Sequence, residues 1–356
     1  MKEFRVIKGS PHTIKNLVYL KNSAKKHRDN YPLSGQGNIQ RYKLNNGKVF
    51  YDSKDVNIYD DKRGFAEQSI AELTNFSNTS VLAHKNMIMS LMETKPPYIL
   101  NSNTLHTELL TSVNMSVHWA YHNNELFAFN LDNRLLQILF VQHPCAISIY
   151  DSIQLPENYY IHDMTIIDDT LFFPLFPYSM DIFNMILGTR SIVDSFTFTY
   201  PSHASILTYN IKTKQSKILP LPSITSPIFH LQAVKDVIYL FACQENFQLK
   251  NLTSKSNYSS TCHKMALDLN SSTISLTEFP DIGDMPTTDN NCLIYTNNEN
   301  CIGKTISILP NGSIIQRAYP NAIVEEPQAL DNNTSLQIVH ATNSTHLYIL
   351  QTDTLL

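Results

Sequence analysis

Glycine is scarce in this chain, nine residues in 356, and tryptophan occurs once. So thin a supply leaves no Gly-x-Gly-x-x-Gly, no phosphate-cradling P-loop and no Gly-x-Ser-x-Gly turn, which sets nucleotide and serine-hydrolase chemistry aside. Charge is sparse as well. Against 31 acidic side chains stand 27 basic ones, a net charge of −4, so no global field points to nucleic acid or to an acidic substrate. The five cysteines, Cys145, Cys243, Cys262, Cys292 and Cys301, are odd in number and never spaced C-x-x-C, the pattern of reduced thiols in a cytosolic setting. There is no secretory pattern at the start and no run of about 18 apolar residues free of polar breaks. The expectation is a cytoplasmic protein that at most lies on a membrane.

What the chain does have is β-forming text. Tyrosine (18) and phenylalanine (17) are plentiful, 42% of residues are apolar, and Thr/Ile/Val runs recur where long helical stripes are rare. YKLNNGKVFY (42–51) and ISILPNGSIIQ (306–316) place alternating arms around Asn-Gly, a strong hairpin signal. Between them run ELFAFNLD (125–132), RLLQILFVQ (134–142), AISIYDSIQL (146–155) and VIYLFACQ (237–244), with no helix of useful length interposed. Hairpins without βαβ alternation mean a sandwich, a barrel or a propeller. At about 40–45 residues per four-stranded blade the length fits most of a large propeller, and no linker divides the chain. Residues 36–356 are read as one domain, preceded by a basic, poorly defined segment 1–35 carrying Lys2, Arg5, Lys8, Lys15, Lys21, Lys25, Lys26 and Arg28. FPLFPYSMDIFNMILG (173–188) differs in kind: Met180, Phe183, Ile186 and Leu187 have helical spacing, either packed over the core or forming an apolar mouth that touches lipid.

Three histidines each precede a β-rich apolar run: His118 in SVHWAYHNNELFAFNLD, His162 in YYIHDMTIIDDTLFFPLFP and His230 in SPIFHLQAVKDVIYLFACQ. Singly, each reads as a core or turn histidine satisfied by a carbonyl; together they can converge on one axis. Asp163, Asp168 and Asp169 read as polar hairpin positions rather than a catalytic carboxylate pair. Cys262-His263 and His143 with Cys145 lack the paired spacing of a zinc site.

Six ordered segments then carry a resemblance: NTSVLAHKNMIMSLMETKPPYIL (78–100), SVHW (116–119), IHDMTIIDDTLFFP (161–174), IFHLQAV (228–234), EFPDI (278–282) and EEPQAL (325–330). In that order they resemble the signature segments of the carotenoid cleavage oxygenases. The resemblance implies a seven-bladed β-propeller, with loops and a short helix capping one face, that holds Fe(II) on four histidines. It implies that His118, His162 and His230 are three of these ligands, with nitrogens converging within about 3–4 Å. It also implies that Glu93, Glu278 and Glu326 accept the outer imidazole N–H of a ligand, and that no catalytic residue is needed beyond the metal ligands. The implied activity is oxidative cleavage of a double bond in a carotenoid or apocarotenoid by O2, giving aldehyde or ketone products. An apolar tunnel would hold the polyene, lined by Phe/Tyr-rich loops such as 172–178. The stretch 173–188 would make peripheral membrane contact.

The chain departs from the family at His118-Trp119, where His-Pro is usual, and after His230, where LQAV replaces His-x-Asn-Ala. THLYILQTDTLL (345–356) resembles the strand before the family's final Gly-x-His-Gly, for which the sequence has no counterpart. The expectation is a propeller incomplete at its ring closure, with edges near 36–51 and 345–356 unpaired, weak iron binding and little cleavage. The alternative is a non-catalytic propeller, a binding or scaffold protein descended from such an enzyme.

Overall fold

The computed structural model describes residues 2–4, 17–25, 36–45, 48–57, 77–186, 192–249, 260–268, 273–288, 293–299, 302–308, 314–320, 322–324, 328–331, 334–341 and 344–351. They fold as antiparallel sheets following one another along the chain. The first holds β1 (Lys2–Phe4), β2 (Leu17–Lys25), β3 (Gln36–Asn45) and β4 (Lys48–Asp55). The second holds β5 (Ser80–His84), β6 (Met87–Leu91), β7 (Tyr98–Asn101) and β8 (Thr107–Leu110); the third holds β9 (Trp119–His122), β10 (Glu125–Asp132), β11 (Leu135–His143) and β12 (Ala146–Gln154). In the fourth are β13 (Tyr159–Tyr160), β14 (Thr165–Ile167), β15 (Thr170–Met180), β16 (Phe196–Phe198), β17 (Ala204–Asn210) and β18 (Ser216–Leu221). The fifth is β19 (Ile228–Val234), β20 (Val237–Cys243), β21 (Ser260–Asp268) and β22 (Thr273–Ile282).

The last sheet collects β23 (Asp284–Thr288), β24 (Leu293–Glu299), β25 (Ile302–Ile308), β26 (Ile314–Pro320), β27 (Ala322–Val324), β28 (Gln328–Asp331), β29 (Thr334–Ala341) and β30 (Ser344–Gln351). Two short helices, α1 (Ile182–Ile186) and α2 (Ile192–Ser195), are the helical content of the described residues beyond isolated turns. No helix among them is long and apolar enough to cross a membrane.

The sheets are blades because of how their central strands are patterned. In ELFAFNLD the run Leu126–Asn130 is buried without a break, as a strand covered on both faces must be. Leu126 and Ala128 join Leu82, Met89, Leu91 and Ile99 of the second sheet, while Phe127 and Phe129 join Leu171, Phe173 and Leu207 of the fourth. β20 repeats this, with Ile238 and Leu240 facing the fourth sheet and Tyr239 and Phe241 facing Leu293, Tyr295 and Ile306 of the last. Each core therefore lies between two consecutive sheets, the packing of a β-propeller.

Several expectations are revised. Seven separate blades are not what the described residues form: five sheets are blades, and β23 to β30 make up a single eight-stranded sheet. Only Asn321 separates β26 from β27, leaving no length to step across to a new sheet, and one parallel bridge joins Ile302 to Ala322. β3 and the start of β4 are not an open edge, since β2 pairs with Gln36–Leu44 and β1 with Val49–Tyr51. Among the described residues no ladder joins the last sheet to the first. The helical reading at Met180 also shifts, because that residue ends β15 and the helix starts at Ile182.

Candidate metal centre

The three histidines come together. Their ligating atoms all lie within 4.8 Å of one another, somewhat wider than expected, with Nε2 of His118 and Nε2 of His162 at 3.4 Å. Ring centroids are 4.8, 5.3 and 5.2 Å apart, and the planes cross at 70°, 70° and 73°, a nearly threefold tripod. No fourth histidine joins it among the described residues; His340 and His346 lie inside β29 and β30.

Local structure accounts for each position. His118 immediately precedes β9, whose two-residue turn to β10 is made by Asn123 and Asn124 at φ 50° and 66°, the left-handed pair that asparagine tolerates. His162 sits in the irregular step between β13 and β14. His230 follows a β-bulge: Ile228 pairs with Ala242 and His230 with Phe241, so Phe229 is the extra residue. Such a bulge re-aims side chains, and here Phe229 is turned onto the His162 ring at 5.4 Å while His230 reaches the tripod.

The outer nitrogens of two rings meet carboxylates. Nδ1 of His162 is 2.9 Å from Oε2 of Glu93, with the Tyr160 hydroxyl at 3.3 Å from the same nitrogen. Glu93 is delivered by the turn after β6, where Thr94 has φ 53° and Lys95 bridges to Met115. Oε1 of Glu93 accepts the Ser116 hydroxyl at 3.1 Å, and Ser116 Oγ in turn accepts the His118 backbone N–H at 3.4 Å. Nδ1 of His118 is 3.1 Å from Oδ1 of Asp163. A carboxylate oxygen this near each Nδ1 favours the Nδ1–H tautomer, in which the Nε2 lone pair faces the centre.

Burial, and then the neighbouring His162 and His230, hold the His118 imidazole well below the usual histidine range, so it is neutral. Burial pushes the Asp163 carboxyl up to about 6, against the opposing pull of His230, the Leu231 N–H, His162 and the Met164 N–H. A neutral imidazole at His118, beside two further imidazoles, fits a divalent transition metal.

Of the other predicted carboxylates, Glu278 lies elsewhere. Glu278 is exposed on β22, directly across the ladder from His263. Counting strands from Leu231 through Leu240 and His263 to Glu278 gives three steps, about 14 Å at the usual strand spacing. Glu326 falls outside the described residues. Residues 172–178 do not form a loop but belong to β15, and Phe172, Phe173, Leu175 and Phe176 are core. The aromatic flank of the site comes instead from Tyr160, stacked 6.0 Å from His162, and from Phe229, which is backed by Phe198 and Phe247. Asp163 is the member that sequence reasoning missed; its signal was its place directly after His162 and before a strand, where no turn requires an aspartate.

Fold and site together define a β-propeller whose inner strands bring three imidazoles to a metal-type centre. The chain belongs to the retinal pigment epithelial membrane protein family, the carotenoid cleavage oxygenases, whose profile matches residues 13–304. That family is metal-dependent and acts on carotenoid or apocarotenoid polyenes with O2. Among solved structures, a chimera of ACO and RPE65 is similar over 99% of this chain and 89% of its own, with TM-score 0.80 and 15% identity. Cobalt-substituted Synechocystis ACO is similar over the same shares at TM-score 0.79 and 15% identity, as is a single-residue mutant of Synechocystis apocarotenoid oxygenase. No curated protein matches the chain by sequence.

Proposed function

We propose that this chain is an iron(II)-dependent dioxygenase that cleaves a double bond of a carotenoid or apocarotenoid, with His118, His162 and His230 as iron ligands and Glu93 orienting His162. The observation that carries the reading is the convergence of the three imidazoles within 4.8 Å. Iron(II), when bound, supplies the electrons and the coordination position that O2 needs to react with an alkene. The protein's own part is to hold and shield. Glu93 keeps the His162 proton on Nδ1, and Tyr160, Phe229, Phe198 and Phe247 offer a dry aromatic flank suited to a polyene. Adding O2 across one C=C to give two C=O groups moves no proton, so no acid–base side chain is required. A scaffold protein would have no use for three half-buried imidazoles converging on one point.

Peripheral membrane contact within 173–188 falls on α1, where Ile182 and Phe183 are 52% and 72% exposed.

The test is to load the purified chain with Fe(II) without oxygen, measure bound iron, then add an apocarotenoid under ¹⁸O2. Iron retention with ¹⁸O-labelled aldehyde, both lost in His162→Ala, is the expected result. A chain that retains no iron and makes no aldehyde contradicts the proposal.

A further inference from the structure

We infer that Asp163 is the positioning residue of His118, holding that ring in the one tautomer that leaves its inner lone pair free; the inference rests on the metal-centre reading above. The carboxylate is 6% exposed and is itself fixed by the backbone. Oδ1 accepts the Met164 N–H at 2.7 Å and Oδ2 accepts the Leu231 N–H at 2.9 Å, so the fourth and fifth sheets set its place before it meets a ring carried by the third. Two backbone donors leave the carboxylate with acceptor capacity to spare, and His118 Nδ1 lies 3.1 Å from Oδ1.

The competing tautomer has a ready partner, which is why the ring needs holding. With Nε2 of His118 and Nε2 of His162 only 3.4 Å apart, a proton moved to the inner nitrogen of either ring would make a hydrogen bond between the two. The pair would then be satisfied with no cation, and the centre would be closed. Glu93 on His162 and Asp163 on His118 together forbid this by drawing both protons outward. Two lone pairs are left facing each other, an arrangement that a cation relieves. Asp163 therefore acts on metal binding through His118, and its backbone bonds serve to aim it.

The test uses the full chain and cobalt(II) as the probe. Cobalt(II) is titrated against a competing chelator into the wild type, Asp163→Asn, His118→Ala and the double variant, with circular dichroism reporting the fold. Asp163→Asn is expected to weaken cobalt binding about 10- to 100-fold and to change the visible absorption of the bound ion. In the His118→Ala background the same substitution should change affinity less than about twofold, the mark of an effect routed through that ring. ¹⁵N-histidine NMR of the metal-free wild type should show His118 protonated at Nδ1, a readout that needs neither metal nor a variant that folds. An Nε2–H tautomer in the wild type, unaltered affinity and spectrum in Asp163→Asn, or an equal loss with and without His118 each overturns the inference while leaving the centre standing. A wild type that takes up no cobalt removes both.

Discussion

Glu93→Gln alters one atom of the site, and the surrounding contacts determine what that atom does. In the native side chain Oε1 accepts from Ser116 at 3.1 Å and Oε2 faces His162 Nδ1 at 2.9 Å. Glutamine has one oxygen for these two tasks. If its oxygen stays with Ser116, the amide NH2 confronts the Nδ1–H and the His162 proton is driven to the inner nitrogen. If the amide turns over, His162 keeps an acceptor, but a neutral one. Exchanging a charge-assisted bond for a neutral one costs about 1–2 kcal/mol, roughly 5- to 30-fold in metal affinity. With free metal set at the wild-type Kd, occupancy should drop from one half to roughly one-sixth or less. Anaerobic Fe(II) titration against a chelator measures this, with thermal melting to confirm an unchanged fold. Iron affinity within twofold of wild type in a folded Glu93→Gln protein would refute the reasoning, because no geometry of the amide keeps an oxygen both for Ser116 and opposite His162 Nδ1.

Other outcomes are expected away from Glu93. Phe173→Ala removes a ring that is fully buried and packs edge-on against Phe129 at 5.5 Å, so urea unfolding should show a loss of about 3–5 kcal/mol. Tyr209→Phe deletes the hydroxyl that donates to Asp151 Oδ2 at 2.6 Å; that bond, then the Ser152 N–H, holds the Asp151 carboxyl below its usual range. A depressed carboxyl stabilises fully above the unfolded value of about 3.9 and loses that contribution as pH falls through the folded one. The gap between wild type and Tyr209→Phe, about 1 kcal/mol near neutrality, should accordingly close on acidification below about pH 4. The pair Ile182→Asp and Phe183→Asp should abolish flotation with liposomes without altering bound iron, and flotation equal to wild type would detach α1 from any lipid role.

How much of this was legible in the sequence depended on the range of the interaction involved. Strand 125–132 was read at its observed bounds because burial on both faces writes an unbroken apolar run, and Asn-Gly marked the β3–β4 and β25–β26 hairpins because that turn is local chemistry. Asp168, at φ 49° between β14 and β15, also behaves as the turn residue it looked like. Asp163 was grouped with it and misread, since its partners are a ring before β9 and an amide on β19, neither visible from its own neighbourhood. Sheet count failed for a related reason: whether β26 and β27 part company depends on one bridging residue, which no periodicity records. That His118, His162 and His230 could converge was legible from their shared place before β-rich runs, while their role as metal ligands took the family resemblance, because each histidine alone has an ordinary explanation.

The alternating facing of side chains along the central strands makes residue parity an address. In β10 the even positions Leu126 and Ala128 report to one neighbouring sheet and the odd positions Phe127 and Phe129 to the other. A substitution at 126 should therefore be epistatic with changes at Leu91 or Ile99 and indifferent to Phe173, while one at 127 or 129 should behave the opposite way. A pairwise mutational map of the blades would show stripes that switch partner at every residue. Each blade is thus a two-channel relay, passing a packing change left or right according to whether it enters on an even or an odd number.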